Sequence, residues 1–236
     1  MENNKLGQKL NDSLHEIYLG KVKAFLLEAT DGSLILIDTG MSKSSGKIIS
    51  YVNNIGKSVN DIKYILLTHA HIDHFGSAAD IKKLSGAMLG INEKGVRYID
   101  GTDGLLLPVA KNTKSFGAKA MVALLKVLDS AKLIKPKFVK PDMILKEGVF
   151  PESMHMNAKI LETPGHTADS ISIYLPDTKT VIVGDLLKGT PSSLIAHPFF
   201  DDYISMLGSI KKVRELAPDL ICVSHGKNHN VSDLKV

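Results

Sequence analysis

The stretch that decides the fold is Thr68-His-Ala-His-Ile-Asp-His-Phe75, which places three imidazoles and one carboxylate within six consecutive residues. His69, His71, Asp73 and His74 are ligand types that suit zinc, manganese or iron(II). Surface loops carry histidines by chance, but so dense a group favours a metal site over that alternative.

The cluster lies between a predicted strand and a predicted helix. Lys63–Thr68 is an apolar run typical of a buried strand. Ser77 is predicted to cap the start of the helix, and Gly86 to end it. The cluster therefore occupies a strand-to-helix loop, where side chains converge and the backbone can adapt to an ion.

Three further predicted strands end at a residue that can bind a metal. The pairs are Ala158–Thr163 with His166, Thr180–Gly184 with Asp185, and Asp219–Ser224 with His225. Active sites collect at strand ends because a rigid sheet positions the loops there. The recurrence favours one shared functional site over a set of ordinary strand ends.

Five short motifs of this chain, in their order, resemble those of the metallo-β-lactamase superfamily. They are Leu36–Gly40, His69–His74, Pro164–Thr167, Gly184–Asp185 and Ser224–Gly226. The resemblance covers about residues 38–225, most of the chain. It implies an α/β fold, a four-layer αββα sandwich of two mixed β-sheets flanked by helices, with the metals at one edge. It does not define the substrate, because one fold hosts many chemistries.

The resemblance also implies ligands and a reaction. One divalent ion would be held by His69, His71 and His166, a second by Asp73, His74 and His225, and Asp185 would bridge the two. The ions would be zinc, with iron or manganese as alternatives. A metal-bridging hydroxide would be the nucleophile, since coordination lowers the pKa of water from 15.7 to about 7. The implied enzyme is a dinuclear hydrolase that cleaves an ester, thioester, lactone or phosphodiester of a small molecule.

Asp38 is predicted to support the site from outside the ligand set. It follows a strand and precedes Thr39-Gly40. We interpret it as the acceptor for a ligand histidine's free N–H, which fixes the ring tautomer; a turn-forming aspartate is the alternative. Four glycines are predicted to adopt positive φ or to let the backbone approach the metals closely: Gly40, Gly165, Gly184 and Gly226.

Departures from known branches of the superfamily narrow the range of substrates that we expect. Asp185 stands where zinc β-lactamases carry a cysteine ligand, which disfavours antibiotic hydrolysis. His71 stands where diiron flavoproteins carry a glutamate. Eleven residues follow His225, so we expect no glutathione-binding helical domain like that of hydroxyacylglutathione hydrolases.

Two residues beyond the ligands are candidates for substrate binding. Lys188 stands where acyl-homoserine lactonases place a tyrosine, and it faces either a substrate carboxylate or phosphate or the solvent. His197 lies in a segment that follows Asp185 and should border the site. Phe199 and Phe200 would form an apolar pocket wall or part of the core. The other histidines receive no role: His15, His155 and His229.

Length and composition predict one domain over residues 1–236 of a cytoplasmic protein. The polar N-terminus resembles no signal peptide, no apolar run could span a membrane, and a lone Cys222 fits a reducing compartment. The net charge of +4 comes from lysines spread along the chain, without a basic run. We therefore expect a small-molecule substrate and neither a nucleic-acid nor a membrane partner.

Residues 92–140 are the part of the chain that fits least well with a minimal αββα sandwich. We predict that they form a helical insertion. Residues 116–129 have helical periodicity and good helix formers. The helix would be a lid over the metals, a contact in a homodimer, or plain packing on the sandwich. The first two interpretations are favoured, since the segment connects two metal-bearing elements.

Two other functional classes stay open. One is a persulfide dioxygenase-like oxidoreductase with a single iron, which shares these motifs and would differ in metal identity and stoichiometry. The other is a non-catalytic metal-binding module, which the complete ligand set disfavours.

Overall fold

The computed structural model describes residues 6–109, 116–130 and 136–236. Parts of the predicted 92–140 insertion, residues 110–115 and 131–135, lie outside the described residues, as do residues 1–5. The helices are α1 (Ser45–Asn54), α2 (Ile72–Phe75), α3 (Ala78–Ser85), α4 (Val96–Ile99), α5 (Phe116–Ser130) and α6 (Tyr203–Glu215). No helix in the described part of the chain is long and apolar enough to cross a bilayer.

The first sheet has seven strands in sequence order. They are β1 (Gly7–Lys9), β2 (Leu14–Tyr18), β3 (Lys23–Glu28), β4 (Leu34–Ile37), β5 (Ile62–Leu66), β6 (Met88–Asn92) and β7 (Met143–Leu145). Strands β1 to β4 pair antiparallel, and β4 to β7 pair parallel.

The remaining strands form a five-stranded sheet and a hairpin. They are β8 (Gly148–Val149), β9 (Lys159–Glu162), β10 (Ile171–Leu175), β11 (Thr180–Ile182), β12 (Leu187–Gly189), β13 (Leu194–Ala196) and β14 (Leu220–Cys222). The second sheet has the order β14-β11-β10-β9-β8, with β14 and β11 parallel, and β12 and β13 form the hairpin. Both large sheets are therefore mixed.

Three apolar clusters build a four-layer arrangement. Between the sheets, Phe25 and Leu27 of β3 share a core with Ile171 and Ile173 of β10. Residues of α1 and α3 cover the outer face of the first sheet, and residues of α6 cover the outer face of the second. The αββα sandwich predicted from the sequence is confirmed.

Burial on both faces explains the sequence of the central strands. In β3, Phe25 and Leu27 face the second sheet, whereas Ala24 and Leu26 face the helices. A strand covered on both sides reads as a continuous apolar run. Each fully buried leucine or phenylalanine contributes about 1.5–3 kcal/mol relative to exposure.

The structure corrects two local predictions beside the metal motif. Strand β5 ends at Leu66, before the predicted end at Thr68, because the Thr68 N–H and hydroxyl both donate to Asp38. Ser77 precedes α3, but its hydroxyl donates to the Met41 carbonyl and does not cap the helix. Gly86 ends α3 with φ of 72°, as predicted.

Candidate metal centre

The carboxyl ends of five strands bring the predicted site residues together. Asp38 follows β4, His69 follows β5, and His166, Asp185 and His225 follow β9, β11 and β14. The Thr68–Phe75 motif continues into α2, a single helical turn that carries Asp73 and His74. The seven predicted ligands fall into overlapping groups of metal-binding side chains.

The first group consists of three buried imidazoles. His71 Nδ1 lies 3.0 Å from His69 Nε2 and 3.0 Å from His166 Nε2. Nitrogens that each lie about 2.0–2.1 Å from a tetrahedral zinc ion are separated by roughly 3.3 Å. The three ligand atoms therefore have nearly the spacing that a zinc ion requires.

The second group combines one carboxylate with two imidazoles. Asp73 Oδ2 lies 3.4 Å from His225 Nε2 and 3.9 Å from His74 Nε2. His74 is fully buried, while Asp73 and His225 are half-buried. This side of the centre is therefore the more accessible one.

Asp185 lies between the two groups. Its Oδ1 is 3.6 Å from His74 Nε2, and its Oδ2 is 3.6 Å from His166 Nε2 and 3.4 Å from His225 Nε2. One carboxylate thus contacts the ligand atoms of both groups. This is the placement that a bridging ligand needs.

Two buried polar atoms that lack a hydrogen-bond partner indicate whether these residues fit a metal ion. His74 Nε2 and Asp185 Oδ1 are buried and have no hydrogen-bond partner among the described residues. Leaving a buried polar atom unsatisfied costs about 1–3 kcal/mol. Both atoms face the centre, so a divalent cation there would satisfy both, and the donor set fits the ions that the fold implies.

Hydrogen bonds on the outer side of the rings orient the imidazoles. His74 Nδ1 donates to Asp38 Oδ2 at 2.8 Å, His166 Nδ1 to the Phe199 carbonyl at 2.7 Å, and His225 Nδ1 to the Lys21 carbonyl at 2.8 Å. A proton fixed on Nδ1 leaves the Nε2 lone pair for the metal. These three rings are therefore prepared as ligands.

Asp38, which accepts the Nδ1–H of His74, has a strained backbone conformation. It is fully buried, has φ of 60°, and also accepts the backbone N–H and hydroxyl of Thr68. A non-glycine residue with positive φ costs of order 1–3 kcal/mol and persists only where its surroundings enforce it. The carboxylate of Asp38 thus contacts His74, one of the predicted ligand histidines.

The charge state differs between the two groups in the absence of an ion. Burial, with the neighbouring imidazoles, holds the pKa of His69 well below its usual value, and burial lowers the pKa of His71 to about 3. At His74 and His225 burial acts in the same direction, but the nearby carboxylates outweigh it. Asp38 and Asp185 hold the pKa of His74 well above its usual value, and Asp185 raises the pKa of His225 to about 10.

Metal binding at the second group should therefore displace protons. At pH 7 His74 and His225 are protonated without the metal, and both must lose that proton to bind an ion. We expect affinity at this group to rise with pH, by up to about tenfold per unit for each proton released. Burial keeps His69 and His71 neutral, so these two ligands should release no proton when the first group binds an ion.

Calorimetric titration in buffers of different ionisation enthalpy measures the protons released per ion. The variant His225→Asn is the matched control, because it should release one proton fewer on binding the second ion. Equal proton release by both ions would contradict the assignment.

The structure separates the two substrate-binding candidates. His197 is buried, and its Nε2 lies 3.6 Å from Asp185 Oδ2. Lys188 lies on the exposed face of β12 and, among the described residues, forms no hydrogen bond or ion pair with the metal-binding residues. Phe199 contributes its carbonyl to His166, and the Phe200 ring stacks on Tyr203. His197 is thus the candidate that reaches the centre.

The other histidines lie outside the metal-binding groups. His15 bonds Tyr51 and Glu28, and His229 bonds Asp233 and the Thr190 carbonyl. The sequence analysis did not identify the backbone carbonyls of Lys21 and Phe199 as supports for ligand rings. No side-chain signal marks them, because any residue can supply a carbonyl.

Comparison with known proteins agrees with this geometry. The sequence model of the metallo-beta-lactamase superfamily matches residues 17–225. The probable metallo-hydrolase YflN of Bacillus subtilis is 24% identical, over 89% of this chain and 81% of its own length. The hydroxyacylglutathione hydrolase GloC of Haemophilus influenzae is 28% identical, over 74% of each. The BLEG-1 B3 metallo-beta-lactamase structure has a TM-score of 0.71 at 19% identity, covering 93% of this chain and 95% of that one.

Proposed function

The chain belongs to the metallo-beta-lactamase superfamily, and on that premise we propose that it is a dinuclear metal-dependent hydrolase. Its substrate is a small molecule with an ester, thioester, lactone or phosphodiester bond. A carbonyl substrate is favoured, because the relative GloC is named a hydroxyacylglutathione hydrolase. The ions are zinc, with iron or manganese as alternatives.

The position of Asp185 is the observation that carries the proposal. Its two oxygens contact ligand atoms of both metal-binding groups at 3.4–3.6 Å. A one-ion site needs no such shared carboxylate, whereas a two-ion site uses it to fix the separation of the ions. The clusters around Asp185 therefore support two ions over one.

Ions held by these residues would supply a hydroxide at neutral pH, by lowering the pKa of water from 15.7 to about 7, and would polarise the scissile bond. The chain's own residues supply the positioning. Asp38, Phe199 and Lys21 hold three ligand rings in one tautomer. No serine or cysteine nucleophile is required, and Cys222 is fully buried with its pKa raised by burial.

Leu106, within the segment 92–140, lies beside this centre, and the segment is proposed to select the substrate. Leu106 forms a backbone bridge with His71, so the chain leading to α5 passes beside the first metal-binding group. Helix α5 exposes Phe116, Leu124 and Val127, with Phe116 86% exposed. This apolar surface suits a lid for an acyl group or a contact with a second copy of the chain.

Hydrolysis of a substrate panel tests the proposed function. Metal-loaded protein is assayed on generic esters, thioesters, lactones and phosphodiesters, alongside protein stripped of metal and then reloaded. We expect turnover of at least one carbonyl class, its loss on stripping, and its return on reloading. No turnover of any class by protein that holds two ions would contradict the proposal. Oxygen consumption with a persulfide and one iron per chain would indicate the oxygenase branch instead.

A further inference from the structure

His197 is a sixth imidazole that faces the centre without belonging to either metal-binding group described above. It lies just after β13 and is 6% exposed. Its ring centroid is 4.7 Å from that of His166 and 5.9 Å from that of His225. His197 therefore faces a ligand ring of each group and closes the side of the centre on which Asp185 Oδ2 lies.

The backbone of Phe199 contacts the rings of both His166 and His197. The Phe199 carbonyl accepts the Nδ1–H of His166 at 2.7 Å. The Phe199 N–H donates to His197 Nδ1 at 3.4 Å. The carbonyl also lies 3.3 Å from His197 Nδ1 and has a second lone pair, so it would accept from this ring in the Nδ1–H tautomer. The ring accepts from the Phe199 N–H only in the other tautomer, which carries its proton on Nε2.

The Nε2–H tautomer would distinguish His197 from the predicted ligand histidines. His74, His166 and His225 each donate Nδ1–H to an oxygen at 2.7–2.8 Å, so Nε2 is the atom that each would offer to an ion. At His197 Nδ1 the Phe199 carbonyl is 3.3 Å away, and in the Nε2–H tautomer the ring directs an N–H inward. The nearest acceptor, Asp185 Oδ2, is 3.6 Å from Nε2, beyond hydrogen-bond distance. The donor is therefore available to another oxygen in the centre.

We propose that His197 carries its proton on Nε2 and that this N–H donates a hydrogen bond to the substrate oxygen that gains negative charge during hydrolysis. This inference rests on the proposed function and adds a catalytic residue to it. As hydroxide forms the new bond at the carbonyl carbon, the π pair moves onto that oxygen. The pair re-forms the carbonyl when the bond to the leaving group breaks, and the departing alkoxide or thiolate keeps the bonding pair and takes a proton from water. No proton leaves His197 in either step.

Two substitutions at His197 separate a donor from a metal ligand. His197→Leu removes the N–H, whereas His197→Gln places an amide N–H near the same point. We expect kcat to fall by about 10²–10³-fold in the leucine variant, as for loss of an oxyanion donor. The glutamine variant should recover most of that loss, and both should keep wild-type metal content. His155→Leu, at an exposed site, is the matched control and should leave kcat unchanged.

Nitrogen NMR of the zinc-loaded protein shows which ring nitrogen of His197 carries the proton, and the measurement needs no substrate. We expect the His197 proton on Nε2. A proton on Nδ1, loss of one ion in His197→Leu, or a kcat within about threefold of wild type would overturn the proposal, since one donor is worth far more.

Inorganic phosphate, an oxyanion, keeps the inference testable if the panel shows no turnover. Its Kd for the metal-loaded protein should rise about 10–100-fold in His197→Leu and stay near wild type in His197→Gln. That result without hydrolysis would refute the proposed function alone. An unchanged Kd in the leucine variant would refute the role of His197.

Discussion

Replacing Asp185 with asparagine should lower kcat by about 10²–10³-fold or more and reduce the metal content from two ions toward one. The amide keeps the shape of the carboxylate but loses its charge and one acceptor oxygen. It therefore cannot complement ligand atoms of both groups, which lie 3.4–3.6 Å from the carboxylate oxygens. His74 and His225 would also lose the anion that raises their pKa.

Asp38→Asn is the comparison for this result, because Asp38 touches His74 and no ion. Its loss should be milder, about 10–100-fold in affinity or activity. Thermal unfolding of both variants without metal controls for misfolding. If Asp185→Asn keeps both ions and full turnover, Asp185 is not the bridge.

Replacing Gly226 with alanine should produce the largest loss of stability among single changes near the centre. Gly226 follows His225, has φ of 89°, and an added Cβ would overlap the Gly189 carbonyl oxygen. The Gly189 N–H donates to the His225 carbonyl at 2.9 Å, so the two loops are in direct contact. Strain at positive φ and overpacking together cost about 2–5 kcal/mol. Displacing the loop should also weaken the second ion.

Gly86→Ala is the matched control for Gly226→Ala. Gly86 has φ of 72°, but nothing lies within 4 Å of an added Cβ. Only the backbone strain then applies, about 1–2 kcal/mol. Chemical denaturation of the two variants measures both costs. Equal losses would mean that the contact between Gly226 and Gly189 contributes nothing.

The sequence predicted the features of the centre that depend on local order along the chain. An apolar run that stops at a metal-binding residue can be recognised in the sequence alone. Strands β5, β9, β11 and β14 overlap the four runs that were predicted to be strands. The expectation that Gly40, Gly165, Gly184 and Gly226 adopt positive φ is confirmed. Each of these features is encoded within a few consecutive residues.

The contacts that the sequence left undefined join residues that are distant along the chain. The sequence analysis expected His197 to border the site, but its contact with Asp185 arises because the β12–β13 hairpin returns the chain to the centre, and two short strands leave little periodic signal. That Asp38 would meet His74, 36 residues away, could be expected only as a contact with some ligand histidine. The use of Nδ1 by His71 depends on ring orientation, which no sequence pattern encodes.

Counting the metal ions per chain tests the two-ion centre most directly. Protein purified without chelators is analysed for its elements, with Asp185→Asn prepared in parallel. We expect a content approaching two ions per chain in the wild type, with zinc foremost, and fewer in the variant. A content fixed at one ion, with iron preferred when every metal is supplied, would contradict it.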